Sequence, residues 1–260
     1  MKIIPNRWFK PKDRILFPGD IHFPNHNPKA LSLMLKAAKG FGCNKSGLLG
    51  DFFDSCHISR HEKTRDSSFK RENACMAKYN RDTEAAGMEP TVALWGNHEF
   101  WFNKYAEENP GHDHEELYPA LYEKWDVISE PGVALELNAN LVAAHGDGLN
   151  GACAAQPAAS VLRNYPALNI IFGHNHRLDV ARVTRPTHRG PRTTIAASIG
   201  TMASIDYELS KKALQVNAQR HSLGFGVVTL HPGDLFEITL GSVVDTKNGL
   251  VCLLAGELYK

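Results

Sequence analysis

The chain has 260 residues, and 29 Lys and Arg against 28 Asp and Glu give a formal net charge of +1. Apolar residues at 43% and charged residues at 22% are ordinary globular values; they exclude a disordered or fibrous chain and leave any nucleic-acid binding to a local patch. Five scattered cysteines without a Cys-x-x-Cys pair exclude a zinc ribbon or thioredoxin-type site and are expected to be idle thiols.

Residues 1–8 hold no uninterrupted apolar stretch, so no signal peptide is expected. No apolar run approaches the ~20 residues of a membrane helix, and the expectation is a cytoplasmic chain without a membrane partner. The first short apolar run, Ile15-Leu16-Phe17, ends at Gly19-Asp20-Ile21-His22. Residues 28–39 carry apolar side chains at helical spacing behind Pro28. A second run, Gly47-Leu48-Leu49, ends at Gly50-Asp51, followed by a charged, Ala-rich helical stretch over 61–87. Val92-Ala93-Leu94-Trp95 leads to Gly96-Asn97-His98-Glu99, with a helix expected over 115–125. Leu141-Val142-Ala143-Ala144 leads to His145-Gly146-Asp147, and after a helical 154–163, Ile170-Ile171-Phe172 leads to Gly173-His174-Asn175-His176.

Short apolar runs bounded by turn residues read as buried strands. Their alternation with helices predicts an α/β layered fold. The last third reads as strands over 193–199, 226–230, 235–240 and 250–254, with Asn248-Gly249 as a hairpin signal. Without a linker or repeat, residues 1–260 are expected to form one domain.

In layered α/β folds, polar residues just past the carboxyl ends of strands gather at one edge of a sheet. Asp20, His22, Asp51, Asn97, His145, His174 and His176 all occupy such positions. Carboxylates, imidazoles and an amide without thiolate suit Mn²⁺, Fe²⁺ or Zn²⁺ and are too nitrogen-rich for a Ca²⁺ cage. Seven side chains exceed one tetrahedral centre, whereas two metals sharing a bridging carboxylate would use them all. Gly111-His112-Asp113-His114 also spells Gly-His-x-His, but it follows Asn109-Pro110 and is expected to be a solvated loop. His57 and His61 can share a helical face, yet no carboxylate at suitable spacing completes a third metal site.

Gly-Asp20-Ile-His22, Gly-Asp51-Phe-Phe-Asp54, Gly-Asn97-His98-Glu99, His145-Gly and Gly-His174-Asn-His176 resemble, in order, the five motifs of the calcineurin-like metallophosphoesterases. The resemblance spans roughly residues 15–177 and is greatest to bacterial and phage-borne members. It implies a four-layer α/β/β/α sandwich with two mixed sheets and a dinuclear site at the strand ends. Asp20, His22 and His176 would hold the first divalent ion and Asn97, His145 and His174 the second, with Asp51 bridging. Manganese is the expected metal, with iron, zinc and nickel as alternatives. The pair would lower the pKa of a shared water for in-line attack on a phosphoester. His98 takes the family's general-acid position, and Asp54 the slot that orients this histidine.

Protein phosphatases of the superfamily carry Arg-Gly after the second motif, where this chain has Ser55-Cys56. A phosphodiesterase acting on nucleic acid or nucleotides is therefore expected. A phosphomonoesterase on nucleotides or small metabolites is the alternative, and a non-catalytic scaffold of the same fold a third. Arg60 and Arg177, nearest the motifs in two basic stretches (60–72 and 177–192), are the candidate substrate-binding residues, because the planar guanidinium suits phosphate. Phe100-Trp101-Phe102 is expected to pack in the core rather than stack a base. The oligomeric state is left open.

Overall fold

A computed structural model describes residues 1–59, 67–188, 190–204, 206 and 221–260. Strands β1 (Lys2–Ile4) and β2 (Arg14–Pro18) precede helix α1 (Pro28–Phe41). Strand β3 (Lys45–Leu48) leads to α2 (Phe69–Ala85), and β4 (Glu89–Leu94) leads to α3 (Asn97–Glu108). Two single-turn helices, α4 (His114–Leu117) and α5 (Pro119–Tyr122), precede β5 (Asp126–Ile128), β6 (Val133–Asn138) and β7 (Leu141–Ala144). Helix α6 (Pro157–Asn164), β8 (Ile170–Phe172), β9 (Leu178–Arg185) and β10 (Arg192–Ile199) follow. The chain closes with β11 (Gly224–Leu230), β12 (Phe236–Thr246), β13 (Gly249–Leu254) and β14 (Glu257–Tyr259).

These strands build two mixed sheets, one in the order β1-β6-β7-β8-β10-β9 and one in the order β14-β13-β12-β11-β2-β3-β4-β5. The period-2 alternation of strand side chains decides which layer each residue joins. Ile15, Phe17, Leu49, Val92 and Leu94 of the larger sheet meet Leu135, Ala143, Ile171 and Ile199 of the smaller one between the sheets. Their neighbours Leu16, Leu48, Ala93 and Trp95 face the other way, onto α1, α2 and α3. On the far side, Val142, Ala144, Ile170 and Phe172 pack under Ala158, Val161 and Leu162 of α6. The result is the α/β/β/α sandwich.

Local signals account for the helix ends. The Asn27 side chain accepts from Ala30 N, Pro28 opens α1, and Gly42 closes it at φ +80°. The helix expected over 115–125 is instead broken into α4 and α5, because Pro119 disfavours helical backbone at Tyr118. The basic stretch from 177 contains a full edge strand, β9, paired antiparallel with β10. Residues 61–66, the start of the helix expected over 61–87, lie outside the described residues. No described helix is long and apolar enough to cross a membrane.

Strands β2, β3 and β4 run parallel, as do β7 and β8. All five polar clusters therefore leave carboxyl ends, three from one sheet and two from the other. That shared direction brings them to one edge of the sandwich.

Candidate metal centre

The ligand-type side chains form two groups. Asp20, His22 and His176 make the first, with donor atoms within 4.8 Å of one another; Asp51, His145 and His174 make the second, on the same measure. His22, Asp51 and His98 form a third grouping that links them. In the first, His176 Nε2 lies 3.2 Å from Asp20 Oδ2 and 3.1 Å from His22 Nε2. In the second, His145 Nε2 lies 3.3 Å from Asp51 Oδ2 and 3.1 Å from Asn97 Oδ1. All seven residues singled out in the sequence thus come together, with Asp51 between the two groups.

The donor set fits divalent cations. A carbonyl can only accept, so His145 Nδ1 carries its proton toward the Leu49 carbonyl at 2.8 Å, and Nε2 faces Asp51 and Asn97, where it could ligate a cation. His174 Nδ1 is buried without a hydrogen-bond partner, a donor that a cation would satisfy. Burial raises the pKa of Asp51, but the charges of His145 and His98 outweigh it and hold the carboxyl well below its usual range. Burial likewise lowers His145, and the charge and hydrogen bond of Asp51 overcome it, pushing the imidazole up to about 10. The buried site therefore calls for positive charge, which protons or metal ions can supply. Two ions would be held by Asp20, His22 and His176 and by Asn97, His145 and His174, across Asp51.

Backbone geometry is specialised to match. His22, Asp51, His174 and His176 have φ of +55°, +49°, +71° and +57°. Non-glycine residues adopt such backbone only where surrounding structure enforces it. Here the enforcement is visible. Glu99, buried, accepts from Asp51 N and Gly96 N at 2.8 Å and from Phe53 N at 2.9 Å. Burial first and Asp51 second push its carboxyl up to about 8. At Gly50, with φ +102°, a Cβ would meet His145 Nδ1 at 2.6 Å, so only glycine allows this approach.

His98 sits beside the pair, its Nε2 4.0 Å from Asp51 Oδ2. Its Nδ1 donates to the main-chain carbonyl of Asp54 at 2.7 Å. The expected route from Asp54 to His98 thus runs through the backbone. The Asp54 carboxylate is nearer His22 Nδ1, at 3.4 Å, than His98 Nδ1, at 3.8 Å, and also accepts from Asn25 Nδ2 at 3.0 Å. Burial pulls His98 down to about 4. Trp101, read with its neighbours as core, lies on the His98 ring with centroids 4.1 Å apart, while Phe102 is buried in the core and Phe100 packs on Trp95.

Arg177 follows His176 directly, and its Nη1 donates to the Ala154 carbonyl at 2.6 Å. Arg185 donates to the Leu162 and Pro166 carbonyls at 3.0 and 3.2 Å, and Arg192 to that of Ala167 at 3.0 Å. These two arginines satisfy carbonyls at and after the end of α6. Arg60, Arg189 and His61 lie outside the described residues. His114, expected in a solvated loop, is buried among Trp95, Phe102 and Tyr118, with Nδ1 3.0 Å from Tyr122 Oη.

Two neighbours of the site escaped the sequence reading. The His221 ring meets that of His176 edge-on at 4.7 Å, and no motif marks it. Glu99 stands three residues after Gly96, the spacing of a helix capping box, and that signal was available.

The family model for calcineurin-like phosphoesterases matches residues 13–178. No curated protein matches the chain. Among solved structures, a phosphoesterase from E. coli (Yfce) is 16% identical with a TM-score of 0.42, covering 86% of this chain and 96% of that one. Vacuolar Protein Sorting 29 from Cryptosporidium parvum is 14% identical with a TM-score of 0.44, over 94% and 96% of the two chains. A dimetal phosphatase from Danio rerio is 8% identical with a TM-score of 0.39, over 89% and 96%.

Proposed function

The chain belongs to the calcineurin-like phosphoesterases, and from that premise we propose that it is a dinuclear, manganese-dependent phosphodiesterase acting on nucleotide or nucleic-acid esters. The observation that carries the reading is the pair of His/Asp groups meeting at Asp51, with His98 beside them outside the ligand set. Two bound ions would supply an activated water and a clamp on the phosphoryl oxygens.

The chain's own residues do the rest. Asp20, fixed by the His174 N–H at 2.9 Å, and Asp51, fixed through its Oδ1 by the His98 N–H at 3.0 Å, present carboxylate oxygens in set directions. Asp54 faces His22 Nδ1 and steadies that ring from behind. His98, with Nδ1 committed to the Asp54 carbonyl, has Nε2 left to hand a proton to the leaving alkoxide. Because burial favours the neutral ring, the charged form that donates this proton needs the negative charge of bound phosphate beside it.

Ser55-Cys56, standing where protein phosphatases of the superfamily carry Arg-Gly, argues against a phosphoprotein substrate.

The test is a hydrolysis screen with Mn²⁺ added, comparing bis-(p-nitrophenyl) phosphate with p-nitrophenyl phosphate, then nucleotides and single- and double-stranded DNA. Preference for the diester is expected. A clean monoester preference overturns the diester assignment, and no turnover with two metals bound overturns the hydrolase.

A further inference from the structure

Behind His98 lies a buried carboxylate outside the candidate metal centre. Glu72, in the first turn of α2, is fully buried. Its Oε1 accepts from the Ser55 N–H and from Ser67 Oγ, both at 2.9 Å, and its Oε2 accepts from Tyr118 Oη at 2.5 Å. Ser67 has one hydroxyl proton and gives it to Glu72, so the 2.9 Å contact with His57 Nδ1 has the imidazole as donor. Burying a charge is costly unless it is hydrogen-bonded, and here three donors converge on one carboxylate.

The Ser55 N–H and the Asp54 C=O belong to one peptide group, a rigid plane with its donor and acceptor pointing opposite ways. Glu72 takes the N–H; His98 Nδ1 gives its proton to the C=O. The series therefore runs carboxylate, peptide, imidazole. A carboxylate on the N–H side polarises the amide and makes its carbonyl a stronger acceptor. The same bond holds Ser55 at φ +49°, the turn that aims the carbonyl at His98.

We propose that Glu72 is a positioning residue for His98, orienting and polarising the 54–55 peptide that holds the imidazole. This rests on the reading of His98 as general acid. Tyr118 and Ser67 keep the carboxylate in place, and Tyr118 stacks on Phe53 at 4.1 Å, tying the arrangement to the Asp51 loop.

The test uses the manganese-loaded full chain and a series of methyl aryl phosphate diesters with leaving groups from p-nitrophenol to phenol. A lost proton donor matters little for p-nitrophenolate and much for phenolate. Glu72→Gln is expected to lower kcat about twofold on the first and roughly tenfold on the second, with KM and metal content unchanged. His98→Ala should steepen the same dependence further. Without turnover, the His98 Nδ1 proton resonance of the metal-free protein should move upfield in Glu72→Gln. Should that variant fail to fold, Glu72→Asp, which withdraws the charge from Ser55 by one methylene, carries the same expectation of a steeper dependence. An unchanged dependence and an unmoved resonance, with His98→Ala steepening as expected, overturn the role of Glu72 alone. An unchanged dependence in His98→Ala overturns the general-acid reading and this proposal with it.

Discussion

His22 and His176 face each other Nε2 to Nε2 at 3.1 Å, each on a strand-end residue with left-handed backbone. A neutral pair can share one N–H···N hydrogen bond there, and a metal ion would take both lone pairs in its place. Metal binding should therefore stabilise the fold as well as equip it. Raising Mn²⁺ to a hundredfold excess over its Kd should add about 2.7 kcal/mol to stability, read as a rise in Tm by scanning fluorimetry. No shift over the millimolar range would refute the site.

Asp51 should behave differently from His98. Asp51→Ala is expected to lose both ions and all turnover, because Asp51 belongs to the second group and also meets His22 of the first. His98→Ala should keep two ions per chain by elemental analysis and lose about 10²–10⁴ in kcat. Metal loss in His98→Ala would show that this ring is a ligand.

Arg185 separates a structural arginine from a substrate contact. Arg185→Ala removes two bonds to carbonyls around the end of α6 and should cost about 1 kcal/mol in urea unfolding. Its KM for diesters should be unchanged. A several-fold rise in KM without a change in stability would instead assign β9 a phosphate-binding role.

His114 makes an acid-stability prediction. Its ordinary value is 6.5, and burial pulls it down to about 3 in the fold. Between these values the unfolded chain binds a proton that the native state does not. Its contribution to stability is therefore complete above pH 6.5 and lost as pH falls toward 3, on the order of 3 kcal/mol by pH 4. His114→Phe should keep the aromatic packing and shrink the difference in stability between pH 7 and pH 4. An unchanged difference would show that the group titrates normally.

The amino-acid sequence by itself determined the strands that carry the candidate site and the residues that gather there. Apolar runs such as Ile15-Leu16-Phe17 and Ile170-Ile171-Phe172 stop at glycine, and both signals are local, written in consecutive residues. What only the tertiary structure decided are the pairings between layers. Nothing near Glu72 in the chain announces Ser55, seventeen positions earlier; their bond exists because α2 docks against the Asp51 loop. The Asp54 carbonyl, rather than its carboxylate, reaches His98 because the turn at Ser55 aims the peptide that way. His114 looks polar in sequence and is buried because aromatic rings from α3, α5, the junction between α4 and α5, and the end of β4 close over it. Periodicity reports which face of an element is apolar, whereas a hydrogen bond between elements depends on how those faces meet, and that is settled only when the whole chain packs.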